Sequence, residues 1–376
     1  MQRTIFLIIF LTVLIIMFFA NRFVVSRGVW ALENTSFQQP FKVLFWILPA
    51  LFIIGQVMER FQPMGLTKVI TSIGSVWLGW FLYAFLIAVM ITLLQLLGKW
   101  LSWDWLTKLP KLTVFTWIFI GLLALVVYGI INANTPVVKT HDITIEKPLE
   151  QPLKIALVSD LHIGAIHGRN RIEKMVGLIN TEQPDLVFIA GDLVDHNPTF
   201  GIKDKVGEAF EKLIAPMGIF AITGNHEYIG EAEVSIEYLS RYGIKYLRDE
   251  YIVIDDQFII TGREDKDMQR FNGHKRLPLK DILYGADKSL PIFLMDHQPV
   301  EYDKAVEQQV DLMVSGHTHK GQLWPNSFIT KRVFENHYGL MQKGQTWFYT
   351  SNGYGTWGPP LRVGNRPEVV IINISN

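Results

Sequence analysis

The stretch VDLMVSGHTH, residues 310–319, joins a short apolar run to two histidines that stand one residue apart. A short apolar run bounded by glycine is typical of a buried strand. Side chains of an extended chain alternate between its two faces, so His317 and His319 are expected on the same side. The chain contains only ten histidines, and this pair therefore indicates a chemical role at the end of a strand.

Four other apolar runs also end in side chains that bind metals. They are LVSDLH, IAGDLVD, ITGNHE and LMDHQP, which begin at residues 157, 189, 222 and 294. The five stretches together contribute Asp160, His162, Asp192, Asp195, Asn225, His226, Glu227, Asp296, His297, His317 and His319. The carboxyl ends of strands in an α/β sheet meet at one edge, where ligands bind. The sequence therefore predicts that these side chains lie close together.

From residue 153 onward, apolar runs rich in valine and isoleucine alternate with charged stretches that predict helices. Helices are expected over residues 170–181, 203–214 and 232–242, and a hairpin over residues 251–262. Further strands follow, ending with EVVIINI at residues 368–374. This order implies an α/β (α+β) fold with a mixed sheet, or a two-sheet sandwich flanked by helices.

The side chains of the five stretches suit a pair of divalent cations. Imidazole and carboxylate ligands favour zinc, manganese, iron or cobalt, and the absence of cysteine excludes thiolate sites and cysteine nucleophiles. Asp192 has two carboxylate oxygens and is a candidate bridge between two cations. Any single cluster also has an ordinary interpretation, such as Asp195 capping a helix. Five clusters in order nevertheless predict a dinuclear metal site.

The five clusters resemble the signature of the calcineurin-like metallophosphoesterase family. Its blocks D-x-H, G-D-x-x-D, G-N-H-[DE], a single H and G-H-x-H occur here in order as DLH, GDLVD, GNHE, H and GHTH. The resemblance covers residues 153–376 and is closer to the YkuE-like branch of bacterial membrane or envelope phosphoesterases, which similarly has a late GTWGPPLR segment, here residues 355–362. Lys320 departs from the glycine usual in that branch, and MDHQP departs from its apolar-x-His-Asn-Pro.

The resemblance implies a four-layer αββα sandwich and two divalent metal ions, of manganese, iron or zinc. It implies that the first metal is bound by Asp160, His162, Asp192 and His319. It implies that the second metal is bound by Asp192, Asn225, His297 and His317. His226 would be the general acid and Asp195 would orient it. Lys320, Trp357 and Arg362 are candidate substrate-binding residues, although the Gly-Pro-Pro segment between the last two is equally suited to packing a loop.

Residues 1–138 have a different composition, with nine basic and only three acidic residues. Four uncharged or nearly uncharged apolar stretches predict transmembrane helices, since about 20 apolar residues cross a bilayer; they cover residues 4–21, 43–58, 69–98 and 112–138. The sequence thus predicts a membrane domain at 1–138, a polar linker or edge strand at 139–152, and a phosphoesterase domain at 153–376. A multi-pass protein of the cell membrane is expected.

The expected function is the metal-dependent hydrolysis of phosphate mono- or diesters. Residues 139–376 carry 26 basic and 32 acidic residues and show no basic stripe, which disfavours a nucleic-acid partner. Attachment to four membrane spans makes a phospholipid or a lipid-linked envelope intermediate a candidate substrate. Two alternatives remain open: the spans simply anchor a broad phosphodiesterase, or the protein senses a metal or ligand without hydrolysis.

Overall fold

The computed structural model describes residues 2–61, 65–103, 105 and 109–376. Met1, residues 62–64, Asp104 and residues 106–108, all within the predicted membrane domain, lie outside the described residues. The chain divides into two compact units, of which the first comprises Met1–Met58 and Leu66–Gly129 and the second Glu59–Gly65 and Ile130–Asn376.

The first unit is helical. Its helices are α1 (Gln2–Ala31), α2 (Gln38–Phe61), α3 (Gly65–Trp100) and α4 (Lys111–Ala133). Among the described residues, four helices are long and apolar enough to cross a membrane. Large apolar side chains remain exposed along them, for example Ile16 and Phe19, both 61% exposed. Helix α2 continues through Pro49 and has 24 residues. It is therefore longer than the uncharged stretch 43–58 from which it was predicted. These helices support a membrane protein.

The second unit contains two six-stranded sheets. The first sheet has the order β1 (Val137–Thr144), β12 (Glu368–Ser375), β2 (Leu153–Val158), β3 (Leu186–Ala190), β4 (Gly218–Ile222) and β5 (Ile244–Tyr246). The second has the order β10 (Gly339–Lys343), β11 (Thr346–Thr350), β9 (Leu312–Ser315), β8 (Ile292–Met295), β7 (Phe258–Gly262) and β6 (Glu250–Ile254). Strands β2, β3 and β4 run parallel, as do β7, β8 and β9.

Nine α-helices accompany the described strands of this unit. They are α5 (Arg169–Glu182), α6 (Thr199–Lys203), α7 (Gly207–Phe210), α8 (Asn225–Ile229), α9 (Ala232–Ser240), α10 (Met268–Asn272), α11 (Leu279–Ile282), α12 (Tyr302–Glu307) and α13 (Ser327–Val333). The alternation of side chains along each strand sorts the buried residues into layers. On β2, Ile155 joins the core between the two sheets, whereas Ala156 packs with residues of α5 and α7. On β7, Ile260 faces the other sheet and Ile259 packs with α11 and α12.

Two helical layers therefore enclose two sheets, which confirms the four-layer αββα sandwich. Burial of strands on both faces explains why their sequences are continuously apolar rather than alternating.

One local prediction needs correction. The helix predicted over 203–214 is instead the pair α6 and α7, because Lys205 between them has φ of 53°, a left-handed conformation that a continuing α-helix does not allow. Of the two alternatives for residues 139–152, the edge strand applies to residues 139–144, since β1 pairs in parallel with β12 over its full length. Ile143 and Ile145, with 2% and 3% exposure, supply the apolar alternation that secures this edge strand.

Candidate metal centre

The residues of the five stretches meet at the carboxyl ends of the two sheets. Strands β2, β3 and β4 lead to Asp160, Asp192 and Asn225, and strands β8 and β9 lead to His297 and His317. Contacts between the sheets join these ends: the backbone N–H of His317 donates to both carboxylate oxygens of Asp160, at 3.0 and 3.1 Å. Asp296, which the sequence placed in the same group, instead pairs with Arg263 and Arg276 at 3.0 and 2.9 Å.

A first cluster contains Asp160, His162 and His319, which are 0%, 2% and 7% exposed. The Nε2 atoms of the two histidines face each other at 3.1 Å, and His319 Nε2 lies 3.3 Å from Asp160 Oδ1. Burial, followed by the neighbouring His162 and Arg362, holds the pKa of His319 well below its usual range. A neutral imidazole presents a lone pair, so this arrangement fits a bound cation.

A second cluster contains Asp192, His297 and His317. His297 Nδ1 donates to the carbonyl oxygen of Ala190 at 2.7 Å, which directs Nε2 toward the cluster. That Nε2 is buried without a well-directed hydrogen-bond partner, although Asp192 Oδ2 lies 3.1 Å away. Burial lowers the pKa of His297, but Asp192 and Asp160 outweigh it and raise the pKa well above its usual range. A cation at this position would replace the proton.

The rest of this cluster also suits a cation. His317 Nδ1 lies 2.9 Å from Asn225 Oδ1, so both reach a common point. Burial and the neighbouring His297 lower the pKa of His317 to about 3, which keeps its imidazole neutral. Asp192 groups with His297 and His317, and its role as a bridge to the first cluster stays a proposal.

Five of these side chains stand on backbone in the left-handed region. The φ angles of Asp160, His162, Asp192, His317 and His319 are 54°, 49°, 53°, 70° and 48°. A non-glycine residue in a sparsely populated conformation costs about 1–3 kcal/mol, and such residues concentrate at functional sites. The five residues follow the strand ends, and this backbone conformation directs their side chains toward the candidate metal centre.

His226 and Asp195 form a hydrogen-bonded pair next to the first cluster. His226 Nδ1 lies 2.7 Å from Asp195 Oδ1, and the rings of His226 and His162 have centroids 4.6 Å apart. Burial lowers the pKa of His226, but Asp192 and Asp195 raise it to about 9. Both carboxylates thus favour the protonated form of His226. With Nδ1 bonded to Asp195, Nε2 is the remaining ring nitrogen.

Two residues of the site had no role in the sequence analysis. Glu227 accepts hydrogen bonds from the backbone N–H groups of Asp192, Val194 and Gly224, at 3.1, 2.9 and 2.7 Å, and so fixes two ligand-bearing loops. His196 Nδ1 lies 3.1 Å from Asp195 Oδ1 and therefore shares the carboxylate with His226. Glu227 stood in a quoted motif, whereas nothing but its position beside Asp195 could have indicated His196.

The three candidate substrate residues have different surroundings. Trp357 is 57% exposed, and its ring centroid lies 6.3 Å from that of His226. The ammonium of Lys320 lies 4.1 Å from the centroid of the Tyr338 ring, which is a cation–π contact. Its contact with substrate stays a proposal.

Arg362 has a structural position. It is fully buried, and its Nη2 donates to the carbonyl oxygens of Asn352, Gly353 and Gly355 at 2.8, 2.9 and 2.7 Å. Its Nη1 donates to Asn365 Oδ1 at 2.6 Å. A guanidinium whose donors are satisfied by the loop has none left for a phosphate. The structure therefore does not support Arg362 as a substrate-binding residue.

Arg362→Met should destabilise the protein, because the buried carbonyl oxygens of Asn352 and Gly355 lose their donor. Each buried group left unsatisfied costs about 1–3 kcal/mol, so we expect a loss of about 2 kcal/mol or more. Thermal unfolding in detergent measures the effect. Arg366→Met is the matched control, since Arg366 is exposed and donates to one carbonyl oxygen, that of Thr135, at 2.8 Å. If Arg362→Met left the unfolding temperature unchanged and raised the KM, Arg362 would be a substrate-binding residue and not a structural one.

Comparison with known proteins agrees with the geometry. The family described as calcineurin-like phosphoesterase matches residues 153–321. An "Uncharacterized metallophosphoesterase" of Aquifex aeolicus (strain VF5) is 32% identical over 240 residues, which are 63% of this chain and 91% of that protein. This chain therefore belongs to the calcineurin-like metallophosphoesterase family.

Two further relatives bear on the architecture. A "Transmembrane protein with metallophosphoesterase domain" of Danio rerio is 32% identical over 275 residues, 69% of this chain and 62% of that protein. The match thus spans less than two thirds of the Danio rerio protein. The "Uncharacterized metallophosphoesterase YkuE" of Bacillus subtilis (strain 168) is 28% identical over 232 residues, 59% of this chain and 79% of that protein.

Proposed function

We propose that this protein is a membrane-anchored hydrolase of phosphate mono- or diesters that depends on two divalent metal ions. The observation that carries the proposal is the position of His226, bonded to Asp195, beside two buried clusters of aspartate and histidine. A site that only bound cations would have no use for a proton donor next to its ligands. This combination instead suits the cleavage of an ester bond.

The two clusters would hold the cations. The proposed ligands are Asp160, His162, Asp192 and His319 for one ion, and Asp192, Asn225, His297 and His317 for the other. Two bound cations would polarise the phosphoryl group and lower the pKa of a nucleophilic water. Manganese, iron and zinc all suit imidazole, carboxylate and amide ligands.

The chain itself would supply the proton and its orientation. Asp195 accepts from His226 Nδ1 at 2.7 Å, which holds the ring so that Nε2 would donate to the leaving oxygen of the ester. Asp192 Oδ1 accepts from the backbone N–H of His226 at 2.8 Å, so the acid is fixed to a metal ligand. Because α8 carries both Asn225 and His226, the proton donor and one ligand would move as one body.

Trp357 would contact the leaving group. It stands half-exposed beside His226, where an aromatic ring favours an apolar or planar leaving group over bulk water. The substrate class that we propose is a phosphate ester carried by a phospholipid or a lipid-linked intermediate, and its support is the attachment to helices long enough to cross a membrane.

The function is tested with purified full-length protein and chromogenic phosphate mono- and diesters. Protein stripped with a chelator should be inactive, and adding manganese, iron or zinc should restore hydrolysis. Elemental analysis of each sample gives the number of bound ions. Full activity in excess chelator without bound metal would overturn the metal dependence. A metal-loaded protein that is inert on both ester types would favour a metal- or ligand-sensing role instead.

A further inference from the structure

A surface beside the metal centre exposes large apolar side chains. Trp324, Phe328, Ile329 and Val333 are 54%, 65%, 63% and 66% exposed, and we call them the apolar ridge. The last three belong to α13, which has no buried residue. The rings of Trp324 and Phe328 lie with centroids 6.4 Å apart. Within the described part of the second unit, the ridge has no apolar cover, although burying such side chains is favourable.

The ridge ends at the metal centre. Phe334 follows Val333, and its ring centroid lies 5.9 Å from that of the proposed ligand His317. On the neighbouring loop, Gln322 Nε2 donates to the carbonyl oxygen of Trp357 at 2.9 Å and the N–H of Trp357 donates to Gln322 Oε1 at 2.8 Å. Trp324 is two residues after Gln322 and therefore lies on a segment that is hydrogen-bonded to the loop of Trp357, beside His226. A molecule held on the ridge would reach the reactive site.

The ridge also lies near the point where the chain leaves its last apolar helix. Asn132, near the end of α4, donates through Nδ2 to the carbonyl oxygens of Arg362 and Asn365 at 3.0 and 2.6 Å. The N–H of Trp324 donates to the carbonyl oxygen of Val363 at 2.9 Å. All these residues belong to the second unit. The end of α4 and Trp324 therefore both bond with residues 362–365.

The composition of the surface fits a lipid–water interface. Lys331 and Arg332 stand exposed in the last turn of α13 and would meet anionic headgroups. Tryptophan is enriched at membrane interfaces, where its ring lies between apolar and polar layers. The exposed side chains of Ile214 and Tyr284 stand on other parts of the second unit.

We propose that the apolar ridge inserts into the lipid–water interface and brings the phosphate ester of a lipid headgroup to the metal centre. Insertion buries the four ridge side chains and keeps the two cationic side chains at the headgroups. The delivery of an ester rests on the proposed hydrolytic function, whereas the insertion does not.

Insertion is measured by spin-label accessibility in the full-length protein. The chain has no cysteine, so Ile329→Cys creates a single site for a nitroxide label. In vesicles of phosphatidylcholine and phosphatidylglycerol, the label should collide more often with oxygen, which partitions into lipid, than with a water-soluble nickel chelate. Ile214→Cys is the matched control, since Ile214 is 65% exposed, and its label should favour the nickel chelate.

Two outcomes of this measurement would overturn the insertion. One is a label at Ile329 that is as accessible to the nickel chelate as the label at Ile214. The other is a spin–spin interaction between labels at Ile329 that disappears on dilution with unlabelled protein, because the ridge would then bind a second copy of the chain. Neither readout depends on activity, so a failure of the proposed hydrolytic function leaves it interpretable.

Delivery of the ester is measured with a double variant, Phe328→Ser with Ile329→Ser. Hydrolysis of a lipid phosphate ester in vesicles should fall about 10-fold, because apolar area that holds the site at the interface is lost. Hydrolysis of a soluble phosphodiester should stay unchanged, and Tyr284→Ser should affect neither substrate. Equal losses on both substrates, or no loss on the lipid ester, would overturn delivery by the ridge.

Discussion

Asp192→Asn is expected to reduce hydrolysis to background and to lower the bound metal. Asp192 lies 3.1 Å from His297 Nε2, and its other oxygen accepts the backbone N–H of His226. Asparagine keeps that acceptor and the volume of the side chain, so the loop should fold normally. What it loses is the negative charge that faces the cation. The loss should exceed the about 10²–10⁴-fold expected for removal of a general acid.

Metal content and activity are measured together for this variant. Asp287→Asn is the matched control, because Asp287 is an exposed loop carboxylate that bonds only with its neighbour Ser289 among the contacts described. That control should keep both ions and full activity. If Asp192→Asn also kept both ions and hydrolysed esters at the unaltered rate, Asp192 would not be a ligand and the proposed dinuclear arrangement would be wrong.

His226→Ala should retain the metal ions and lose about 10²–10⁴-fold in rate. The side chain bonds with Asp195, and only its backbone N–H reaches Asp192, so the ligand set survives the truncation. The loss should be largest for esters with poor leaving groups, such as alkoxides, and should shrink for nitrophenolate, which departs with little protonation. Rates on a series of esters with graded leaving-group pKa measure this dependence.

Two comparison variants show whether the loss belongs to the acid. His317→Ala should lose metal, since its neutral imidazole is a proposed ligand, whereas His274→Ala should change nothing because His274 lies on an exposed loop. The opposite pattern, with metal lost in His226→Ala and retained in His317→Ala, would reverse the two assignments. A loss that is equal for all leaving groups would indicate a positioning role instead of proton donation.

The sequence could predict the metal centre because its signals are local. Each ligand group follows an apolar run by one to three residues, and strands of such composition are buried whatever surrounds them. The alternation expected for Asp-x-His and His-x-His does not apply, because these residues lie beyond the strand ends on left-handed backbone, and His317 and His319 belong to different clusters. The long apolar helices are equally local, since length and hydrophobicity alone determine whether a helix suits a bilayer. These features needed no knowledge of distant contacts.

Other features depend on residues far apart in the chain. The sequence left β1 open as a linker or an edge strand, because its polar residues pair with β12, more than 200 positions later. Arg362 was a candidate substrate-binding residue, yet the loop at Asn352, Gly353 and Gly355 surrounds it with carbonyl groups. The partners of a side chain depend on which other segments folding brings next to it, and the sequence around Arg362 does not contain that information.

The sequence by itself thus determined that Asp and His side chains follow the strand ends, and that the chain divides into apolar helices and an α/β unit. Only the tertiary structure decided how those side chains are arranged. It placed candidate ligands such as His317 and His319 on left-handed backbone and gave Asp195 a second histidine neighbour, His196. It also left α13 without cover beside the site. The physical reason is that composition and spacing act within a few residues, whereas burial, pKa and exposure are set by neighbours that folding brings together.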